Sequence, residues 1–170
     1  SAIAYAPSRA EAMRLSDVYY SNNSGYGFIV RTEDADKYND LDSLKDAVVV
    51  TQSGSVQEAL YREQVGSCRE FKLVSSMTDG YLMVAEGKAD VCICSTGSAK
   101  LYAEANGGLA IPDFAFPVNA DMQGTRVGMP VGADSLTEFV NGCIDELQEA
   151  GQLEAWYQSA VEYAESLGLE

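Results

Sequence analysis

Histidine is absent from this chain of 170 residues. Its absence removes serine–histidine–aspartate and cysteine–histidine nucleophile pairs, along with every histidine-ligated metal site. Basic residues are scarce: 11 Lys and Arg stand against 26 Asp and Glu, a formal net charge of −15. Such a surface repels phosphate backbones and anionic lipid, which disfavours nucleic-acid and membrane-surface partners. No apolar stretch approaches the ~20 residues that a membrane span requires. Low-complexity tracts are missing too. The four cysteines, Cys68, Cys92, Cys94 and Cys143, contain no C-x-x-C pair. Cys92 and Cys94 lie two apart in an apolar run, so on a strand they share one face. They are read as buried free thiols packing as small hydrophobes, the alternative being one disulfide with Cys68 or Cys143.

What is present is core-forming material. The chain is 46% hydrophobic, enough for at least one core. Three short apolar strands alternate with helical patterns. Ala47-Val48-Val49-Val50 precedes a helix from Ser55 to Glu63. Lys72-Leu73-Val74 precedes a helix from Thr78 to Glu86, closed by Gly87. Val91-Cys92-Ile93-Cys94 precedes a helix from Ser98 to Ala105, closed by Asn106-Gly107. Glycine suits the left-handed position after a helix end. The alternation indicates a parallel or mixed sheet covered by helices, an α/β fold. Residues 26–31 and Arg126-Val127-Gly128-Met129 read as two further strands, and residues 108–124 as irregular.

Two capping boxes are expected, Ser55-Val56-Gln57-Glu58 and Ser135-Leu136-Thr137-Glu138. After the second, Leu136, Phe139, Val140, Cys143, Ile144 and Leu147 share one helical face. Gly151 ends that helix, and Leu153, Trp156, Tyr157 and Ala160 mark another.

In open α/β sheets, ligands bind beyond the carboxyl ends of the strands. Those ends read Thr51-Gln52-Ser53-Gly54-Ser55, Ser75-Ser76-Met77-Thr78 and Ser95-Thr96-Gly97-Ser98. All are small, polar and uncharged, and each leads into a helix N-terminus, where free N–H groups favour an anionic group. Gly54 permits close backbone approach, and Ser55 and Val56 offer a hydroxyl and an N–H to a carboxylate. The same residue types are also ordinary turn and cap residues. Arg9, whose guanidinium suits bidentate capture of a carboxylate, is the other candidate. Gly80 and Gly87-Lys88 do not form a phosphate-binding loop. The turns contain no acid, base or activated nucleophile, so no enzyme activity, cofactor or metal is expected.

These residues resemble a family. Arg9 followed by Leu15-Ser16-Asp17-Val18-Tyr19-Tyr20 resembles the "R…FSDPYY" segment of the family-3 extracellular solute-binding proteins, the amino-acid-binding components of ABC transporters. Leu41 to Asp46 resembles their "DLKG" turn, and Gly54-Ser55-Val56-Gln57-Glu58 their "GSTQE" loop. Glu86 to Val91 resembles "NGRVDAV"; Val140-Asn141, Glu149-Ala150-Gly151 and Trp156-Tyr157 resemble the C-terminal "VNKAL…ADGT…IYEKW". Each motif is weak alone; five in order are fairly specific.

The resemblance implies a periplasmic-binding-protein type II fold, two lobes joined by crossing strands. By that reading residues 1–25 are a remnant of lobe 1 and 26–31 a hinge strand. Residues 32–122 are lobe 2, 123–131 a second hinge strand, and 132–170 the C-terminal helices of lobe 1. Most of lobe 1 is then expected before Ser1. Arg9 clamps the ligand carboxylate, and Gln52, Ser53, Gly54, Ser55 and Val56 form the facing loop. Ser95, followed by Thr96, stands where many members have an ammonium-pairing aspartate. Serine can accept a hydrogen bond there but cannot neutralise the charge. Ala6 and Leu15 replace the family's usual Thr and Phe. The implied function is extracytoplasmic capture of an amino acid or related small carboxylate and delivery to an ABC permease. The alternatives are a ligand-sensing receptor domain and, further away, a dehydratase of the same fold. Phe139, Ile144, Leu147 and Trp156, lacking a sheet to cover them, offer a surface for a dimer.

Overall fold

Val48-Val49-Val50-Thr51 is a run of β-branched residues, stiff at χ1 and suited to a pleated surface. It forms a strand buried on both faces. The computed structural model describes residues 2–21, 25–119 and 122–166. In chain order its elements are β1 (Ala2–Ala4), α1 (Pro7–Ala12), β2 (Arg14–Leu15), β3 (Tyr26–Arg31), β4 (Val48–Gln52) and α2 (Val56–Gln64). There follow β5 (Glu70–Val74), α3 (Met77–Ala85), β6 (Val91–Ser95), α4 (Thr96–Asn106) and β7 (Leu109–Ala110). The chain ends with β8 (Thr125–Met129), α5 (Asp134–Glu149) and α6 (Gln152–Ser166). Short 3₁₀ turns occupy Thr32–Asp34 and Asp42–Leu44. Two compact units result: Ser24–Pro117, and Ser1–Asn23 together with Val118–Glu170.

The unit Ser24–Pro117 is built on a five-stranded sheet of order β5-β4-β6-β3-β7. β4 runs parallel to β5 and β6, whereas β3 is antiparallel to β6 and β7. The sheet is therefore mixed. Residues 26–31 lie wholly inside it, with Tyr26 opposite Ser95 and Val30 opposite Val91. Alternation along the strands sorts two cores. Ile29, Val50, Cys92 and Cys94 pack with Tyr81, Val84 and Ala99 of α3 and α4. Val49, Thr51 and Ile93 point the other way, fully buried, and the Thr51 hydroxyl donates to the Ile93 carbonyl at 2.9 Å. All four cysteines are free thiols. Burial pushes the Cys92 and Cys94 thiols up, so both stay protonated and unreactive.

Residues 108–124, read as irregular, contribute β7 and then an anchored segment. Phe114 stacks on Phe28 with centroids 4.4 Å apart, and Phe116 meets the same ring edge-on at 5.6 Å. The Phe116 N–H donates to the Tyr26 carbonyl at 2.8 Å. Gly27 makes this approach possible: a Cβ there would lie 2.6 Å from the Phe114 carbonyl oxygen.

The other unit is a three-stranded antiparallel sheet of order β1-β8-β2 with α1, α5 and α6. Residues 125–129 form its centre, so this strand too lies within one unit. Ser16 is fully buried; its hydroxyl accepts from the Val127 N–H at 2.9 Å and donates to the Asp17 carbonyl at 2.7 Å. The Asp17 N–H in turn donates to the Asn141 side chain of α5 at 2.9 Å. The Ser-Asp-Val-Tyr-Tyr segment is thus a brace between strand and helix.

The second expected capping box does not form. α5 begins at Asp134, ahead of Ser135, and Ala133 caps it without a side-chain bond. Gly132, at φ +83, turns the chain one residue earlier, and the Thr137 hydroxyl donates back to the Ala133 carbonyl at 2.9 Å. Asp134 takes the first helical position and pairs with Arg14 at 2.9 Å. The expected apolar face of α5 is split. Ile144 is buried, which removes it from the expected exposed surface, Leu147 is half-buried, and Phe139 is 69% exposed. On α6, Trp156 is 56% exposed.

Candidate functional site

The register of the parallel strands brings three turns to one edge of the Ser24–Pro117 sheet. Gln52 stands opposite Val74, and Ser95 opposite Tyr26. The first two turns are tied to each other, and the third to the residue before β3. The Ser53 N–H donates to the Val74 carbonyl at 2.9 Å, and the Gln52 side-chain amide to the Ser75 carbonyl at 3.0 Å. Thr96 donates through its N–H at 2.9 Å and its hydroxyl at 3.1 Å to the Gly25 carbonyl. Gln52, Ser53, Gly54, Ser55, Val56, Ser95 and Thr96 therefore share one edge.

Each turn is set by its cap. Ser55 is the N-cap of α2: its hydroxyl accepts from the Glu58 N–H at 3.1 Å and donates to the Gln52 carbonyl at 2.6 Å. Gly54, at φ +69, sits where an L side chain is strained. Its N–H donates to the Glu58 carboxylate at 2.7 Å. The glutamate of the expected capping box thus reaches one residue further back, to Gly54. By helix geometry the N–H groups of Val56 and Gln57 have no partner within α2, which leaves them as donors for a ligand. Ser95 caps α4 without a side-chain bond. α4 begins at Thr96, two residues before the expected start, so both residues lie at a helix N-terminus.

The sequence reading found no acid within the turns, but the fold brings two carboxylates onto them. Asp79 of α3 accepts from the Ser76 hydroxyl at 2.8 Å and the Ser75 hydroxyl at 3.3 Å, while Ser76 caps its N–H at 3.2 Å. Glu58 is the other. The signal was legible: Ser76-Met77-Thr78-Asp79 repeats the cap spacing of Ser55 to Glu58, with the shorter acid. The Gly54 N–H and then the Arg62 guanidinium hold the Glu58 carboxyl below the ordinary glutamate value of 4.5.

That shift sets a pH dependence. The folded-state value is depressed, so the stabilisation is complete above about pH 4.5 and is lost as pH falls through the lower folded value. Glu58→Gln is expected to cost about 1 kcal/mol at pH 7, with the gap to the wild type closing below about pH 4.5. Urea midpoints of both proteins between pH 3 and pH 7 check this; a pH-independent gap counts against it.

Arg9 belongs to the other unit. It lies in α1, its Nη1 donating to the Ala4 carbonyl at 2.9 Å.

No protein-family model matches the chain, and no curated protein sequence matches it. Solved structures do. An amino acid ABC transporter substrate-binding protein from Streptococcus pneumoniae, bound to L-arginine, shares 24% identity at a TM-score of 0.81, over 94% of this chain and 65% of that one. A second crystal form of such a protein from the same organism, again with L-arginine, shares 26% identity at 0.79, over the same 94% and 65%. An ancestral amino acid-binding protein, a precursor of cyclohexadienyl dehydratase, shares 21% identity at 0.77, over 92% and 65%. The chain has the α/β fold of the type II periplasmic-binding-protein class. It spans about 65% of the length of these structures, so it holds part of that fold.

Proposed function

We propose that the chain belongs to an extracytoplasmic solute-binding protein that captures an amino acid or a related small carboxylate between two lobes and delivers it to an ABC permease. The observation that carries this reading is the single sheet edge that gathers the starts of α2, α3 and α4, in a chain similar over 94% of its length to an arginine-bound binding protein. In this reading Arg9 holds the ligand carboxylate from one lobe. Ser55, Val56 and the Gln52-Ser53-Gly54 turn meet it from the other, with Ser95 and Thr96 beside them. In this reading the lobes close about the segments that join the two units. Closure follows because a ligand touching both lobes binds the closed state better than the open one.

Dehydratase chemistry requires a proton donor of raised pKa. Of the two carboxylates at the edge, Glu58 is shifted in the opposite direction by the Gly54 N–H and Arg62, which disfavours it as that donor.

The test is a melting-temperature screen of the protein against L-arginine, L-glutamine and small carboxylates. A ligand at about a hundred times its Kd stabilises by about 2.7 kcal/mol through mass action. Arg9→Ala is expected to abolish the shift, and Ser55→Ala to reduce it. A shift that survives Arg9→Ala sinks the assigned site, and no shift across the panel sinks the function.

A further inference from the structure

The unit formed by Ser1–Asn23 and Val118–Glu170 contains three basic residues, Arg9, Arg14 and Arg126, among a large excess of carboxylates. Two of the three line one cavity of about 300 Å³, together with Tyr5, Ala10, Met13 and Leu15. No carboxylate is among the described residues lining it. Its polar side-chain groups are two guanidiniums and a phenol, which can all donate hydrogen bonds.

Arg126 is held in place. Its Nη1 donates at 2.9 Å to the carbonyl of Ser16, the residue whose buried hydroxyl braces β8. Its Nε is buried and has no hydrogen-bond partner. A buried guanidinium N–H without an acceptor calls for an explanation, because charged donors are almost always satisfied. Arg14 has a partner, Asp134 at 2.9 Å, but both side chains are more than half exposed, and such a pair is held weakly.

We propose that this cavity is a binding site for a small oxyanion, a carboxylate or phosphate group, held by Arg126 and Arg14. Its lining belongs wholly to the unit formed by Ser1–Asn23 and Val118–Glu170, and its chemistry is complementary to an anion. A guanidinium is suited to pairing with the oxygens of an anion, and Arg126, held by the Ser16 carbonyl, supplies the fixed charge of the site. Arg14 supplies a movable charge that exchanges Asp134 for the ligand. The chain's charge of −15 works against non-specific anion uptake, so saturable binding requires a built site.

The experiment is a titration of the protein with inorganic phosphate and, separately, acetate, read by calorimetry and by melting temperature, with chloride holding the ionic strength constant. One of the two anions is expected to saturate; the preferred one identifies phosphate or carboxylate as the group recognised. Arg126→Gln is expected to weaken binding at least tenfold and Arg14→Gln about threefold or more. Asp134→Asn, which removes the competing carboxylate, is expected to tighten it severalfold. Lys100→Gln, an exposed charge of the other unit, should leave it unchanged. Failure of both anions to saturate overturns the proposal, as does an equal loss in Arg126→Gln and Lys100→Gln. Should Arg126→Gln not fold, the Asp134→Asn variant decides: unchanged affinity overturns the site.

Discussion

Phe28→Ala is expected to lower the stability by about 4 kcal/mol, within the range for truncating a fully buried phenylalanine. Phe28 is 0% exposed and sits opposite Ile93 in the β3–β6 ladder. Its ring is also the platform on which Phe114 stacks and against which Phe116 packs. Deleting it therefore removes more than transfer free energy. It takes away the aromatic contacts, each worth about 1 kcal/mol beyond area, and leaves a cavity that the rigid sheet cannot collapse. A second effect follows. The segment after β7 is held to the sheet by those two rings and by the Phe116 N–H bond, so it should become cleavable by protease while the sheet persists. Phe114→Ala, at a half-buried position, should cost clearly less. Urea denaturation with limited proteolysis separates the two effects; a loss below about 2 kcal/mol would show that the segment is not anchored through this ring.

The repeated strand-and-helix alternation was legible because its signals are local. β-Branched and apolar runs marked β4 and β6 to within a residue or two, and glycines after α3 and α4 marked their ends; Gly87 and Gly107 have φ of +71 and +69. Strand partners were not legible, because no residue in Tyr26–Arg31 encodes which strand it joins. Its run of Phe28, Ile29 and Val30 fits a fully buried strand of either direction. The start of the chain was missed for a different reason. β1, α1 and β2 are two to six residues long, below the length at which periodicity shows, although Pro7 at the first helical position was a signal.

The candidate site was half legible. The three polar turns could be located from the strand ends. That Glu58 and Asp79 fold back onto those turns depends on side-chain reach across a helix start. The second capping box shows the hazard of the same reasoning. Ser135 and Glu138 have the spacing, but Gly132 turns the chain earlier and Asp134 fills the first helical position. A cap motif specifies a helix start only where the preceding backbone is free to place it there.

The opposite edge of the same sheet carries the other large effect. Asp90→Ala is expected to cost about 2–3 kcal/mol. The Asp90 carboxylate accepts from the Val48 N–H at 2.8 Å, the first residue of β4, and from Arg69 at 3.0 Å. It also meets Arg31, the last residue of β3, at 3.4 Å. Arg31 in turn donates to the carbonyls of Val84 and Ala89 at 3.1 and 3.0 Å and pairs with Asp34 at 2.6 Å. Arg31 and Asp90 are 21% and 19% exposed, so solvent screens them only in part. Removing the carboxylate leaves a backbone donor without its acceptor and a half-buried guanidinium with one partner fewer. The Arg69 contact adds little, because that side chain is mostly exposed. Asp90→Asn keeps an acceptor for Val48 and should cost about 1 kcal/mol. The difference between the two variants, read from urea midpoints at unchanged slope, isolates the backbone bond. Equal losses would assign the whole effect to charge. In that case raising the salt concentration should narrow the gap between each variant and the wild type, because screening weakens an ion pair but leaves a backbone hydrogen bond intact.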